Sequence, residues 1–141
     1  MTRRESHSDP ITRRLQGSGA VRQATDATRE FGEALWLSED EAARFCIVIE
    51  ELVANLYDHG GLTEQDQVEL SLASESAGIR VTIVDPGKPF DPWAAPLHPE
   101  RPERGGAAGI PIIRAWAQLI RYDVTPEGNR LELLLPLHWK G

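Results

Sequence analysis

Apolar and polar positions along the chain sort into two kinds of period. From Phe45 to Gly61 the sequence reads FCIVIEELVANLYDHGG. Here Ala42, Phe45, Ile49, Leu52, Val53 and Leu56 recur at the three- and four-residue spacings of a buried helical stripe. Glu51, Asn55, Asp58 and His59 fall at i, i+4, i+7 and i+8, which predicts a shared polar side opposite that stripe. Ser38 and Glu41 have the spacing of a capping box, so the helix is expected to start there, and Gly60-Gly61 supply a left-handed stop. An earlier helix is predicted from Ser18 to Leu35, with Val21, Ala24, Ala27, Phe31 and Leu35 inward and Gly32 a soft spot near its end.

Strand-like alternation follows. Val68, Leu70 and Leu72 alternate with Glu69 and Ser71, and Ile79, Val81, Ile83 and Val84 form a second run after a turn over Ser74 to Gly78, so the two are expected to pair as a hairpin. Ile11 to Leu15 carries a weaker pattern, read as a short edge strand. Ile110 is expected to open a third helix, with Pro111 in its first turn and Ile112, Ile113, Trp116, Leu119 and Ile120 buried. Tyr122 to Thr125, a turn over Pro126 to Asn129, and Leu131 to Leu135 complete the pattern. With no internal repeat and no second core, this is one α/β domain with an antiparallel or mixed sheet. Residues 1–10 read as a flexible start. Residues 91–108 carry four prolines (Pro92, Pro96, Pro99 and Pro102) and no period, which marks a lid or binding segment.

Composition narrows the class. The chain has 141 residues, 40% of them hydrophobic and 26% charged, enough for one core under a charged surface. A net charge of -7 argues against nucleic-acid binding, which draws on neutralised phosphates, although arginines at 3, 4, 13, 14 and 22 make the start locally basic. No stretch approaches the roughly 20 apolar residues of a membrane span, and no apolar run follows the first arginines, so a cytoplasmic protein is expected. The single cysteine, Cys46, is read as a small buried hydrophobe rather than a reactive thiol.

Three islands do not serve the core: the Glu51/Asn55 face, Asp85-Pro86-Gly87 after a strand, and the glycines at 105, 106 and 109 leading into a helix. Each alone has a plain reading as surface, turn or loop device. In this order they resemble the N-box, G1 box and G2 box of the GHKL ATPase superfamily, and among its members the single-domain anti-sigma-factor serine kinases of the SpoIIAB/RsbW type. The matching segments are Glu51-Leu-Val-Ala-Asn55-Leu-Tyr-Asp-His59, Asp85-Pro-Gly87-Lys-Pro-Phe90 and Arg104-Gly-Gly-Ala-Ala-Gly109-Ile110. The resemblance covers roughly residues 15 to 137.

It implies a Bergerat ATP-binding fold, an α+β arrangement with a mixed, mostly antiparallel sheet and helices on one face. ATP and Mg²⁺ are the implied cofactors. Glu51 would be the general base, and Asn55 would supply an oxygen ligand to the metal. Asp85 would accept from the adenine amino group, with Gly87 and Phe90 shaping that loop. Gly105, Gly106, Gly109 and Ile110 would present the phosphates with N–H groups at the lid hinge. Arg104 either adds charge there or is a solvated lid arginine. His59 either lies beside the nucleotide or caps its helix. Asp58 is read as surface.

Two departures accompany the match: Ala107 stands where the second glycine box expects its first glycine, unless Gly106 serves with an extra alanine, and the first box lacks its second glycine. The implied activity is phosphorylation of a serine on an anti-anti-sigma (STAS-type) partner by a protein that also holds a sigma factor, with no direct contact to nucleic acid or membrane. Homodimerisation through the first strand is implied as well. The absence of a phosphoacceptor-histidine helix disfavours a complete sensor histidine kinase. The competing reading is a partner-switching module that binds ATP, or has lost it, and transfers nothing.

Overall fold

The computed structural model describes residues 9–94 and 106–137, with the side chains of 106–109 left aside. Five strands and three helices follow in the order β1 (Ile11–Gln16), α1 (Ala20–Ala34), α2 (Glu39–His59), β2 (Gln67–Glu75), β3 (Gly78–Asp85), α3 (Gly106–Trp116), β4 (Gln118–Thr125) and β5 (Gly128–Pro136). One turn of 3-10 helix, Gly17–Gly19, joins β1 to α1.

The strands form a single sheet in the order β1-β2-β3-β5-β4, and every neighbouring pair is antiparallel. The expected hairpin is β2–β3, in register with Leu70 opposite Ile83 and Leu72 opposite Val81. Its turn is tighter than the pattern indicated, because β2 runs on to Glu75 and only Ser76 and Ala77 lie between the strands. Alternate residues of three strands point into one core: Val68, Leu70 and Leu72; Ile79, Val81 and Ile83; Leu131, Leu133 and Leu135. The helices cover that face, α1 packed on α2 and α2 on α3. The outer face carries cross-strand ion pairs, in which Arg80 lies between Glu75 and Glu132. Edge strand β1 is tied to α1 by Arg13 and Glu30, 3.0 Å apart.

Helix α2 begins at the expected capping box: the Glu41 N–H donates to Ser38 Oγ at 3.1 Å and the Ser38 N–H to Glu41 Oε1 at 2.9 Å. Ser38→Ala is expected to cost about 1 kcal/mol of stability, a loss of about 3 °C in the thermal midpoint, measurable by calorimetry. The helix ends with Gly60 still right-handed and Gly61 at φ 71. Its buried residues are Phe45, Val48, Ile49, Leu52, Val53, Asn55 and Leu56. Ala42, expected inward, is exposed, and Cys46 is half-buried rather than buried.

Helix α1 stops in a Schellman motif. The Leu37 N–H donates to Gly32 O at 3.2 Å and the Trp36 N–H to Glu33 O at 3.1 Å, with Trp36 held at φ 62. Gly32 is a contact point, since a Cβ there would lie 3.2 Å from Leu37 Cδ1. A left-handed non-glycine residue costs roughly 1–2 kcal/mol.

The third helix differs most from its expected bounds. It opens at Gly106, so Pro111 lies inside it rather than in its first turn, and the carbonyl four residues earlier lacks its helical donor. It ends at Trp116. Leu119 and Ile120, expected on its buried face, belong to β4 instead and are 37% and 40% exposed at the sheet edge. A bulge between Leu119 and Arg121 accompanies the change of element. Among the described residues, no helix is long and apolar enough to cross a membrane.

Candidate functional site

Helix α2, the end of β3 and the middle of the sheet converge on a small recess lined by Leu52, Asn55, Leu56, Ile83, Asp85, Phe90, Pro92, Tyr122 and Leu131. Two of the three islands therefore meet, because Asn55 comes from the helix and Asp85 from the end of β3. The Asn55 residue is 1% exposed, so it does not share the solvated side with Asp58 and His59 as the wheel indicated. It lies at the border of the apolar stripe and lines the recess together with Leu52 and Leu56. Neither Oδ1 nor Nδ2 of Asn55 has a hydrogen-bond partner among the described residues. Such a carboxamide costs about 1–3 kcal/mol in an unliganded fold.

Asp85 is also buried, and its bonds have a direction. Oδ1 accepts from the Gly87 N–H at 2.8 Å and from Asn129 Nδ2 at 3.2 Å. The same Asn129 amide donates to Gly87 O at 2.8 Å. These bonds occupy Oδ1, and among the described residues no hydrogen bond goes to Oδ2, which can accept from a ligand. Burial pushes the Asp85 carboxyl above its ordinary range, while the Gly87 N–H and the Asn129 amide pull it down. Gly87 is required by proximity: a Cβ would stand 2.5 Å from Gly60 O and 2.8 Å from Leu62 Cδ2. With the Lys88 N–H donating to Gly60 O at 2.8 Å, the Asp85 loop is fastened to the end of α2.

Phe90 is half-buried, its N–H donating to the Tyr122 hydroxyl at 2.8 Å. The exposed His59 stacks on it, ring centroids 4.7 Å apart at 15°. Glu51 lies one turn before Asn55, half-buried, and does not line the recess itself. Burial raises its pKa above the ordinary carboxylate value, with Glu50 and then Asp58 adding to the rise. Asp58 is exposed surface, as expected. Gly106 and Gly109 lie in α3, and Ile110 is buried on it. Arg104 and Gly105, with most of the expected lid, fall outside the described residues. Asn129 and Tyr122 were not singled out by sequence. Asn129 sat in a predicted turn, and its only signal is the preceding Gly128, whose Cβ would collide with Asp85 O at 2.5 Å.

The recess itself has about 10 Å³ of open volume, room for about one water. An adenine ring does not fit the recess as it stands. A metal would find no ready-made cage, since no group of three or more His, Cys, Asp or Glu side chains converges among the described residues.

Residues 17–135 match the family model described as "Histidine kinase-like ATPase domain". The chain belongs to the histidine kinase-like ATPase family. This is the GHKL grouping that the three boxes resemble, and it makes ATP the expected nucleotide. The RsbU and RsbW domains of Rv1364c from Mycobacterium tuberculosis form a similar structure, with a TM-score of 0.61 at 18% identity over 95% of this chain and 34% of that one. That likeness shows the Bergerat fold shared by this histidine kinase-like ATPase domain, which spans about a third of the larger protein. The histidine kinase domain of the Erythrobacter litoralis EL346 blue-light activated histidine kinase matches with a TM-score of 0.47 at 20% identity, over 69% of this chain and 45% of that one. No curated protein matches the chain.

Proposed function

We propose that this histidine kinase-like ATPase domain is an ATP- and Mg²⁺-dependent protein serine kinase of the anti-sigma type, which phosphorylates a serine on an anti-anti-sigma partner and holds a sigma factor when that partner is absent. The observation that carries the reading is Asn55, a buried carboxamide whose two polar atoms have no partner among the described residues, in one recess with the buried Asp85, whose Oδ2 has none there either. A pair of that kind is costly in a fold that binds nothing and useful in one that takes a metal–nucleotide complex.

In this reading Asp85 Oδ2 accepts from the adenine amino group, and Asn129 is a positioning residue that turns the carboxylate. Mg²⁺ is a hard ion that takes oxygen ligands and keeps several waters, so Asn55 Oδ1 fits it where the described residues offer no multi-carboxylate cage. When bound, the ion offsets phosphate charge. Glu51, one turn earlier on α2, orients the attacking serine hydroxyl and takes its proton. Gly105, Gly106, Gly109 and Ile110 hold the phosphate end, with Arg104 adding charge, and His59 and Phe90 flank the base. Residues 11–141 act as one domain, with 91–108 as its lid, working in the cytoplasm and paired as a homodimer.

Incubation with labelled ATP, Mg²⁺ and the cognate anti-anti-sigma partner is expected to label one serine, and Glu51→Ala to abolish the label. ATP binding without label, with partner control unchanged in Glu51→Ala, sinks the kinase reading. It would favour a partner-switching module without transfer, the reading to which the closed recess and Ala107 lend support. Binding itself is checked by thermal shift, since Mg-ATP at a hundredfold excess over its Kd adds about 2.7 kcal/mol of stability. Asn129→Ala is expected to weaken Mg-ATP about tenfold or more by calorimetric titration, because a hydrogen bond to a carboxylate is worth roughly 1.5–3 kcal/mol.

A further inference from the structure

The corner between α1 and α2 lies outside the nucleotide recess and carries a feature that stability does not explain. Trp36 sits at the C′ position of the Schellman motif, where glycine is the residue of least strain, and its side chain is nonetheless held out at 83% exposure. The largest apolar side chain is thus both strained and solvated. The next residue, Leu37, lines a shallow cavity of about 290 Å³ with Gly32, Ala42, Ala43, the half-buried Cys46 and the charged Glu33 and Arg29. Arg29 is turned to Asp26 at 2.9 Å. Glu33 and the first residues of α2, Glu39 and Asp40, are exposed within four residues of Trp36 in the chain. An apolar centre with a charged rim is the anatomy of a protein interface, and tryptophan is among its commonest anchors.

We infer that the Trp36 corner is a docking surface for a protein partner that presents a basic rim around an apolar recess, the indole filling the recess and Glu33, Glu39 and Asp40 meeting the rim. Basic surfaces are what proteins use to bind nucleic acid. Within the function proposed above, on which this step rests, the occupant is therefore the sigma factor rather than the serine-bearing partner. Docking here leaves the recess around Asn55 and Asp85 open to nucleotide. The acidic rim acts mainly on the rate of encounter and its salt dependence, and the indole on the lifetime of the complex.

The test uses the full chain, the organism's purified sigma factors presented one at a time on a biosensor, and two variants. Trp36→Gly relieves the left-handed strain, so its thermal midpoint is expected to equal or exceed that of the parent, with the Mg-ATP shift and serine labelling unchanged. Its affinity for the bound sigma factor is expected to fall tenfold or more, chiefly through faster dissociation. Glu39→Lys/Asp40→Lys is expected to slow association and flatten its salt dependence. Sigma-factor binding by Trp36→Gly equal to that of the parent overturns the proposal while serine labelling leaves the kinase reading standing. Loss of serine labelling with sigma-factor binding intact also overturns it, and assigns the corner to the other partner. If the parent captures no sigma factor, the docking proposal falls, and the labelling experiment separately decides the kinase.

Discussion

Glu51→Gln is expected to lower serine phosphorylation by about 10²–10⁴-fold, the range that a positioned general base contributes, while Mg-ATP still raises the thermal midpoint. The side chain stays nearly the same size, so the packing of α2 is kept and only the ability to take a proton is removed. The pH profile supplies a second readout. Burial, then Glu50 and Asp58, raise the Glu51 pKa, so the parent's transfer rate should climb with pH through a midpoint above the ordinary glutamate value. The glutamine variant should lose that limb. Stability carries the same signature with the opposite sense. A carboxyl whose folded pKa is raised holds its proton more tightly folded than unfolded, so its contribution is intact below the unfolded pKa and is lost as pH rises through the folded one. Relative to the parent, Glu51→Gln should therefore gain stability as pH rises through that window, measured by chemical denaturation at a series of pH values. A transfer rate unchanged in Glu51→Gln would remove Glu51 from the mechanism.

Much of the scaffold was legible because its signals are local. The Ser38–Glu41 capping box, the Gly60-Gly61 stop and the alternation of Val68, Leu70 and Leu72 each act over a few residues, and each stands as expected. The edge position of β1 and the β2–β3 hairpin followed from the same kind of pattern. What was not legible depends on partners distant in sequence. Leu119 and Ile120 continue a helical period after Trp116, yet Leu119 pairs with Leu133 of β5 and Ile120 sits at the bulge that follows, so the sheet overrides the local pattern. Pro111 marked a helix start only so long as the four preceding residues counted as loop.

The site shows the same division. Asp85-Pro86-Gly87 announced a turn after a strand, and that is where it lies. The close approach that requires Gly87 is to Gly60 O at the end of α2, a contact between residues 27 positions apart that no short window contains. Asn129 fixes Asp85 across 44 positions, and in sequence it was one more polar residue near a turn. Asn55 was recognised by its motif, but the wheel put it on the solvated side. A helical wheel with two faces has no place for a polar residue at the seam, where the core ends and the recess begins. The structure identifies that seam, because the sheet residues Ile83 and Leu131 and the loop residue Phe90 close over it.

That seam makes the second large effect a trade between stability and binding. Asn55→Leu is expected to raise the stability of the nucleotide-free protein by about 1–3 kcal/mol, since it removes two buried polar atoms that have no partner among the described residues and extends the Leu52, Val53 and Leu56 surface. The same substitution is expected to abolish the Mg-ATP thermal shift and serine labelling, because it deletes the oxygen offered to the metal and fills part of the recess. Asn55→Asp separates the two causes. It keeps an oxygen and nearly the same shape, but buries a charge that must be desolvated without a cation, so it should destabilise the protein alone and recover part of that loss when Mg²⁺ and ATP are added together. Denaturant unfolding of the three proteins, with and without Mg-ATP, reads both effects at once. Were Asn55→Leu instead less stable than the parent and still shifted by Mg-ATP, Asn55 would be a packing residue, and the metal–nucleotide reading of the recess would fail with it.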